Sequence, residues 1–302
     1  MSEWRLGFIS REDFKEHVAK TIGKYGKKLE DYGLAELNSN IIDPIKMLFD
    51  KNVYGATWDE IIKNEIFRQR DKASTNDIGY FHQNIFSYFE GCEVPKEGWD
   101  VIYRNAGGIE LPDGRTVHTV YVEMKNKHNT MNSSASANTY IKMQNQLLND
   151  DDCACFLVEA IAKKSQNEKW TVTVNKQKVS HSLIRRVSMD RFYEIVTGSP
   201  TAFHDVCMAL PKVISEAVAQ NGFVETPRDT AFEELCRVAA AFGGSGEESA
   251  MAMSMYLLGF GSYEGFSDER AALRAVSGIS DAEKKSLLKL LYEYAKAGSY
   301  TE

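Results

Sequence analysis

The stretch TVYVEMKNKHN, Thr119–Asn129, alternates apolar and polar residues and then becomes wholly polar. Side chains of a strand point alternately to its two faces, so Glu123 and Lys125 share one face. The other face is apolar, as packing on a core requires, and consists of Val120, Val122 and Met124. A surface ion pair at the end of an edge strand would explain the charged face and is worth at most about 1 kcal/mol. A functional site would explain it as well, so the surrounding sequence has to decide.

The composition indicates a soluble globular protein. The chain has 302 residues, of which 43% are hydrophobic and 26% charged, enough for one large domain or two of ordinary size. No segment approaches the roughly 18 consecutive apolar residues that a membrane span needs, and MSEWRLGFISRED at the start lacks the apolar core of a secretory signal. The five cysteines lack metal-type C-x-x-C spacing, which predicts reduced thiols in a cytoplasmic protein.

The net charge of −7 argues at first against a nucleic-acid partner, because phosphate binding draws on Lys and Arg. Its distribution weakens that objection. Residues 228–302 hold 12 acidic and 8 basic residues, so the preceding part of the chain is nearer to neutral. Such a body can line one groove with positive charge, and carboxylates that hold a metal ion count as acidic until the ion arrives. Charge therefore excludes little.

The first 90 residues predict helices with clear start signals. Ser10 and Asp43 are placed as N-caps, and TWDE from Thr57 forms a capping box. A further helix is predicted after Asn76, in the aromatic stretch DIGYFHQNIFSYFEG that ends at Gly91. Its aromatic side chains are expected in the core.

The pattern then changes to strands. GWDVIYRN and RTVHTVYVEMK are joined by the turn formers of GGIELPDG and so predict an antiparallel pair. After a polar loop at 126–137, a helix is predicted over about 137–148 and a buried central strand over 153–162. KWTVTV and SLIRRVSM are two further strands, followed by a helix that ends at Gly198 and another over about 201–220.

This order of elements predicts an α/β fold: a mixed central sheet flanked by helices, with an all-helical C-terminal extension. We expect a main domain over residues 1–225, formed by a helical part at 1–91 and a sheet core at 92–225. Residues 226–302 include the capped stretch ISDAEKKSLLKLLYEYAKAG. They are expected to form a helical subdomain that completes the core or joins subunits.

Asp100 lies in EGWDVIY, at the start of the strand that precedes the opening stretch. If the two strands pair as a hairpin, Asp100 reaches the same end of the sheet as Glu123 and Lys125. Two carboxylates and a lysine are what metal-assisted phosphodiester hydrolysis needs. The carboxylates are hard oxygen ligands for Mg²⁺, and the cation orients the attacking water or stabilises charge. The pattern Asp…Glu-x-Lys is short and occurs by chance in many proteins, so its context matters.

Separated segments supply that context: GYFHQNIFSYFEG, VPKEGWDVI, YVEMKNKHNTMNSS and IRRVSMDRFYEIVTG. Together they resemble the type II restriction endonucleases that cut GGNCC or GGWCC sites, a branch of the PD-(D/E)XK nuclease superfamily. The resemblance covers roughly residues 1–225 and makes this part the catalytic domain. The proline of the superfamily motif is absent before Asp100, where Trp99 stands. The residues after 225 have no counterpart in the resemblance.

The resemblance implies roles for the residues of the hairpin. Asp100 and Glu123 become Mg²⁺ ligands, joined by the backbone carbonyl of Met124, and Lys125 becomes the residue that positions or activates the water. Superfamily members often carry a further polar residue on the helix before the first catalytic strand. Gln83 is the catalytic candidate there, ahead of Glu90, although a plain helix-surface amide would give the same sequence.

The segment after Lys125, NKHNTMNSSASANTYIKMQNQ, is polar without being highly charged. Such side chains suit base edges and phosphates, and a helix directly beyond a catalytic strand can enter a groove. A flexible surface loop is the alternative. The residues expected to contact DNA are Lys127, His128, Asn129, Asn132, Asn138 and Lys142.

The sequence therefore predicts a Mg²⁺-dependent, sequence-specific endonuclease that cuts double-stranded DNA as a homodimer, since a near-palindromic site is most simply matched by a two-fold protein. The resemblance implies products with 5′-phosphate and 3′-hydroxyl ends. Two alternatives stay open. One is a repair or recombination nuclease of the same superfamily that reads DNA structure. The other is a non-catalytic DNA-binding or assembly protein in which Glu123 and Lys125 form only an ion pair.

Overall fold

The computed structural model describes residues 4–27, 31–221, 227–241 and 247–260. The helical stretch predicted near the end of the chain lies outside them. The chain divides into two compact units, each built from two separate parts of the sequence. The sheet unit comprises the described residues up to 25 and from 75 to 221. The helical unit comprises those from 26 to 74 and from 227 to 260.

The described helices and strands follow the predicted general order, to which the structure adds the helix Leu34–Ser39, the 3₁₀ segment Ile85–Tyr88 and the short strand Cys92–Glu93. In chain order they are α1 (Arg11–Lys27), α2 (Leu34–Ser39), α3 (Pro44–Tyr54), α4 (Trp58–Asn84), β1 (Cys92–Glu93), β2 (Val101–Glu110), β3 (Thr116–Lys127), α5 (Ser133–Asn149), β4 (Cys153–Ile161), β5 (Asn167–Val174), β6 (Gln177–Ser188), α6 (Met189–Thr197), α7 (Ala202–Asn221), α8 (Ala231–Ala241) and α9 (Glu247–Phe260).

A six-stranded mixed sheet forms the centre of the sheet unit, which confirms the predicted fold class. The strand order is β1-β2-β3-β4-β6-β5. The central pairs β3–β4 and β4–β6 are parallel, and the other neighbouring strands are antiparallel. The two parallel pairs bring the carboxyl ends of β3, β4 and β6 to the same end of the sheet, so residues near these ends can form a common site.

The two faces of the sheet pack against different helices. On one face, apolar side chains of the strands join residues of α1, α4, α6 and α7 in the main core. On the other face, Tyr140 and Met143 of α5 pack with Leu157 of β4 and with residues of β5 and β6. Leu157 is paired in register with Glu123, and residues paired in this way share a face. The charged side of the opening stretch therefore lies on the face that α5 covers.

The helix starts at Ser10, Asp43 and Thr57 are confirmed, because each side chain accepts a hydrogen bond from the backbone N–H three residues on. The separate helix predicted after Asn76 is wrong, since α4 runs without a break to Asn84. The stretch between Thr57 and Asn76 contains neither proline nor glycine, so nothing forces the backbone hydrogen bonding to stop there. Residues that resemble a cap are then tolerated inside the helix.

Two other boundaries also differ from the prediction. Gly91 does not end a helix, because the 3₁₀ segment ends at Tyr88 and Gly91 lies beyond it in a turn with φ of +74°. Helix α5 begins at Ser133, earlier than predicted, and the Asn132 side chain caps it. The polar loop after β3 is correspondingly shorter.

The helical unit has a core of its own. Helices α2, α3 and the first part of α4 supply one side of it, and α8 and α9 supply the other. Asn38 donates a hydrogen bond to the Leu258 carbonyl at 3.1 Å, and Arg70 binds the Asp229 carboxylate through two hydrogen bonds. Residues 31–74 thus group with the helices after 225, which differs from the linear division that we expected. The predicted domain boundary near 225 stays a prediction.

The cysteines agree with the prediction of reduced thiols. All five cysteines are free, and burial raises the pKa of the Cys92 thiol to about 12.

Among the helices of the described part, none is both long and apolar enough to cross a membrane.

Replacement of Leu235 tests whether α8 is a structural part of the helical unit. Leu235 is fully buried, so Leu235→Ala should lower the free energy of unfolding by about 2–5 kcal/mol. Leu148→Ala is the matched control, because Leu148 is 82% exposed and the same change there should stay within about 0.5 kcal/mol. Urea unfolding followed by circular dichroism measures both. Equal losses would mean that α8 adds nothing to this core.

Candidate active site

Asp100 lies immediately before β2, and both its backbone and its side chain bond to β3. Its N–H donates to the Val122 carbonyl at 3.0 Å, and its Oδ2 accepts a hydrogen bond from the Met124 N–H at 2.6 Å. From the end of α4, the Gln83 side-chain amide donates to the Asp100 carbonyl at 3.1 Å. These three bonds fix Asp100 beside the carboxyl end of β3, and the catalytic role expected for Gln83 stays a prediction.

Glu123 is held between two lysines. Its Oε1 lies 2.8 Å from Lys125 Nζ, and its Oε2 lies 2.8 Å from Lys142 Nζ. Lys125 belongs to the same face of β3, whereas Lys142 reaches across from α5. The Lys142 ammonium also donates to the Gly98 carbonyl and lies 4.1 Å from the centroid of the Trp99 ring. The charged face of β3 is therefore part of a cluster of two carboxylates and two ammonium groups.

The two carboxyl groups respond differently to this environment. Burial raises the pKa of Asp100, with a further contribution from the Glu123 charge, and the Met124 hydrogen bond offsets this only in part. Burial also acts to raise the pKa of Glu123, but the hydrogen bonds and charges of Lys125 and Lys142 outweigh it and lower that pKa. The cluster thus compensates the charge of Asp100 less well than that of Glu123.

The oxygen atoms at this end of β3 suit a hard divalent cation. The N–H and C=O of a strand residue point to the same edge, and the Met124 N–H points at Asp100, so the Met124 carbonyl faces the same side. Two carboxylates and one carbonyl are ligands that Mg²⁺ accepts, with positions left for water and phosphate. A cation would also favour the charged form of Asp100, whose pKa is raised without one. Within the described ranges, no group of three or more His, Cys, Asp or Glu side chains is placed to hold a metal ion.

A buried ion pair lies beside this cluster, and the sequence reasoning missed it. Glu159 of β4 is paired in register with Lys125 and is 1% exposed. Arg186 of β6 binds Glu159 Oε1 through Nε at 2.9 Å and through Nη2, and it also donates to the His128 carbonyl at 2.9 Å. Arg186 therefore ties the loop after β3 to two neighbouring strands. The signal for Glu159 was a single charged residue in the apolar run CACFLVEAIA.

The residues predicted to contact DNA differ in how far they are exposed. Four of the six are exposed: Lys127, Asn129, Asn132 and Asn138. Asn132 nevertheless uses its Oδ1 to accept the Ala135 N–H at 2.8 Å and so caps α5. Lys142 is only partly exposed and binds Glu123, and His128 is partly buried. Contact with DNA stays a prediction for all six.

Comparison with known proteins adds independent information. A family model described as Eco47II restriction endonuclease matches residues 6–219. The type II restriction enzyme Sau96I from Staphylococcus aureus is 30% identical over 236 residues, which cover 76% of this chain and 84% of that protein. The type II restriction enzyme Eco47II from Escherichia coli is 30% identical over 240 residues, which cover 74% of this chain and 95% of that protein.

Removal of the Arg186 guanidinium tests the importance of the buried pair. Arg186→Met leaves the Glu159 carboxylate buried without its partner, which should cost about 3–5 kcal/mol of unfolding free energy. Arg104→Met is the matched control, since the Arg104–Glu93 pair is about half exposed and should contribute less than about 1 kcal/mol.

A double variant separates the effect of pairing from that of packing. Glu159→Leu combined with Arg186→Met replaces both charges by apolar groups, and it should recover much of the stability. Chemical denaturation measures all three variants. If Arg186→Met is no more costly than Arg104→Met, the pair has no special role in the sheet.

Proposed function

Because the chain belongs to the Eco47II family of type II restriction endonucleases, we propose that it hydrolyses double-stranded DNA at a GGNCC- or GGWCC-like site, with Mg²⁺ as cofactor. The family and the enzyme class that the sequence predicts are thereby confirmed. The observation that supports the catalytic assignment is the meeting of Asp100, Glu123 and Lys125 at the end of one hairpin. An isolated surface ion pair would not require the half-buried carboxylate of Asp100 beside it.

The proposed roles follow from the positions of the side chains. Asp100 and Glu123 hold the metal ion together with the Met124 carbonyl. A bound Mg²⁺ supplies a Lewis acid and a more acidic water. Lys125 Nζ, 2.8 Å from Glu123 Oε1, orients the attacking water or balances charge on the phosphate oxygens. The water oxygen forms a bond to phosphorus and loses a proton to solvent, the bond between phosphorus and the 3′ oxygen breaks, and the 3′ oxygen takes a proton from solvent, which gives 5′-phosphate and 3′-hydroxyl ends.

We further propose that the enzyme acts as a homodimer in the cytoplasm. A near-palindromic duplex presents each half-site once on each strand, and a two-fold protein matches both with the same surface. Each subunit then cuts one strand. Free cysteine thiols are in keeping with a reducing compartment. Light scattering of the protein with and without a short cognate duplex measures the subunit number.

The proposed surface for DNA recognition is the loop after β3 together with the exposed side of α5. This segment follows the catalytic strand directly, so it lies close to the scissile phosphate. A G·C pair offers guanine N7 and O6 as acceptors and the cytosine amino group as a donor. Lys127 can donate to guanine, and the amides of Asn129 and Asn138 can accept from cytosine or donate to guanine. All three side chains are exposed and available for such contacts.

The catalytic assignment predicts the behaviour of three alanine variants. Asp100→Ala, Glu123→Ala and Lys125→Ala should each lower turnover by about 100-fold or more, since the first two lose a ligand of the metal ion and the third loses the cation that orients the water or balances charge. Lys125→Ala should still bind cognate DNA in Ca²⁺. The assay digests a plasmid of known sequence with Mg²⁺ and sequences the cut ends, and Glu93→Ala, an exposed residue of β1, serves as control.

The same digest separates the proposal from its alternatives. Discrete fragments with ends inside GG…CC sites support a restriction enzyme, whereas nicking or progressive trimming would indicate a nuclease that reads DNA structure. Binding without metal and without cleavage would indicate a non-catalytic protein. Near wild-type cleavage by Lys125→Ala would show that the site is assigned incorrectly.

The recognition surface predicts a loss of specific binding. Lys127→Ala, Asn129→Ala and Asn138→Ala should each weaken binding to the cognate duplex by about 1–3 kcal/mol if the side chain makes a good base contact, and weaken binding to random duplex much less. Cytosine methylation at C5 should also interfere, because the methyl group enters the same groove. Lys178→Ala, at the opposite end of β6 from Arg186, is the control. Equal loss on both duplexes, with normal cutting of methylated sites, would move the recognition surface elsewhere.

Asn132 needs a separate design because its side chain caps α5. Asn132→Ser keeps a good N-cap and removes the amide, whereas Asn132→Ala removes both. A specific effect of the serine variant would indicate a base contact, and an effect of the alanine variant alone would indicate the cap.

A further inference from the structure

Lys142 lies on a helix that is expected to face DNA, yet its ammonium points into the catalytic cluster. Its Nζ lies 2.8 Å from Glu123 Oε2, donates to the Gly98 carbonyl and stacks over the Trp99 ring. Since Lys125 contacts the other oxygen, Glu123 carries one ammonium on each carboxylate oxygen. The formal charges of the two carboxylates and two ammonium groups therefore sum to zero before a metal ion or DNA is bound.

This balance opposes the binding of a divalent cation. A cation is held by the negative charge of its ligands, and an ammonium on a ligand oxygen repels it and occupies part of that oxygen. Lys125 belongs to β3 itself, two residues from Glu123. Lys142 belongs to α5, and its long side chain is 38% exposed. Its ammonium can therefore move away from Glu123 without any movement of β3.

DNA offers the Lys142 ammonium another partner. Lysine binds phosphate groups as a compact cation, and such contacts supply much of the affinity for a duplex. Lys142 extends from α5, which follows the proposed recognition loop, so a bound duplex brings phosphates within its reach. We propose that Lys142 is the counter-ion of Glu123 in the DNA-free enzyme and passes to a DNA phosphate in the complex, which frees Glu123 for the divalent cation.

Two consequences follow for the order of assembly. The enzyme without DNA binds the cation weakly, and the site becomes competent for hydrolysis only on a duplex. DNA and the cation also strengthen each other's binding by the same factor, because the coupling of two ligands is reciprocal. The inference rests on the proposed metal-binding role of Asp100 and Glu123, and adds a residue that links this role to DNA recognition.

Calorimetric titration of Ca²⁺ into the DNA-free, full-length protein tests the inference, with Ca²⁺ used so that DNA stays uncut in the matching experiment. Lys142→Met keeps the apolar stem beside Trp99 and removes the charge. It should bind Ca²⁺ at least about fivefold more tightly than the wild type, because one ammonium no longer competes for Glu123. Lys178→Met, which removes a charge at the far end of β6, should bind like the wild type.

A second variant and a second measurement make the result independent of folding defects. Lys142→Gln replaces Lys142→Met if thermal melting shows that the methionine variant is unstable. The factor by which Ca²⁺ tightens duplex binding, measured by fluorescence anisotropy, should be smaller in either variant than in the wild type. A variant that merely loosened α5 would weaken duplex binding without raising the affinity for Ca²⁺.

Asp100→Asn distinguishes failure of this inference from failure of the proposed function. If Asp100→Asn abolishes Ca²⁺ binding but the Lys142 variants bind with wild-type affinity, the counter-ion role is overturned and the metal site stands. If Asp100→Asn binds Ca²⁺ as well as the wild type, the proposed metal site is wrong, and the role of Lys142 falls with it.

Discussion

The hydrogen bond from the Met124 N–H to Asp100 Oδ2 determines where the Asp100 carboxylate lies on the sheet. Met124 lies two residues past Val122, the β3 partner of the first residue of β2. The Asp100 side chain therefore continues the hydrogen bonding between the two strands past the end of β2. The carboxylate is thereby fixed on the side of Glu123, and Gln83 secures the backbone of Asp100 from α4. A slip of one residue in this register would turn the charged residues toward the main core, because side chains alternate along a strand.

Much of this arrangement could be predicted because it is local in sequence. Strand β3 alternates apolar and polar residues, β2 begins with the apolar run Val101–Tyr103, and the link between the two strands is rich in turn formers. Continuing the pairing of Val101 with Val122 by one residue then places Asp100 opposite Glu123, and alternation alone puts Lys125 on the same face. The family was accessible for a different reason, since the resemblance rests on four separated segments of sequence and needs no knowledge of how they pack.

The contacts that could not be predicted all join distant segments. Lys142 reaches Glu123 only because Tyr140 and Met143 dock α5 on β4, and that docking depends on β5 and β6 as well. Glu159 meets Arg186 because β6, rather than β5, lies beside β4, a strand order that local patterns do not specify. Asn76 gave the opposite kind of error. It resembles a helix cap in the local sequence, but it lies inside α4, whose continuous backbone hydrogen bonding outweighs that local signal.

The split of the helical unit has a consequence for how the chain is made. Helices α2 and α3 and the first part of α4 leave the ribosome roughly 150 residues before α8, a wait of about 8–30 s at typical rates of synthesis. Throughout that time the apolar side chains of Leu34, Leu37 and Trp58 lack the residues of α8 and α9 with which they form a core. The remaining segments of the sheet unit are synthesised during this interval, so that unit can fold before α8 emerges. Nascent-chain chaperones therefore have their longest opportunity on the α2–α4 surface, and folding follows an order that the linear sequence does not suggest.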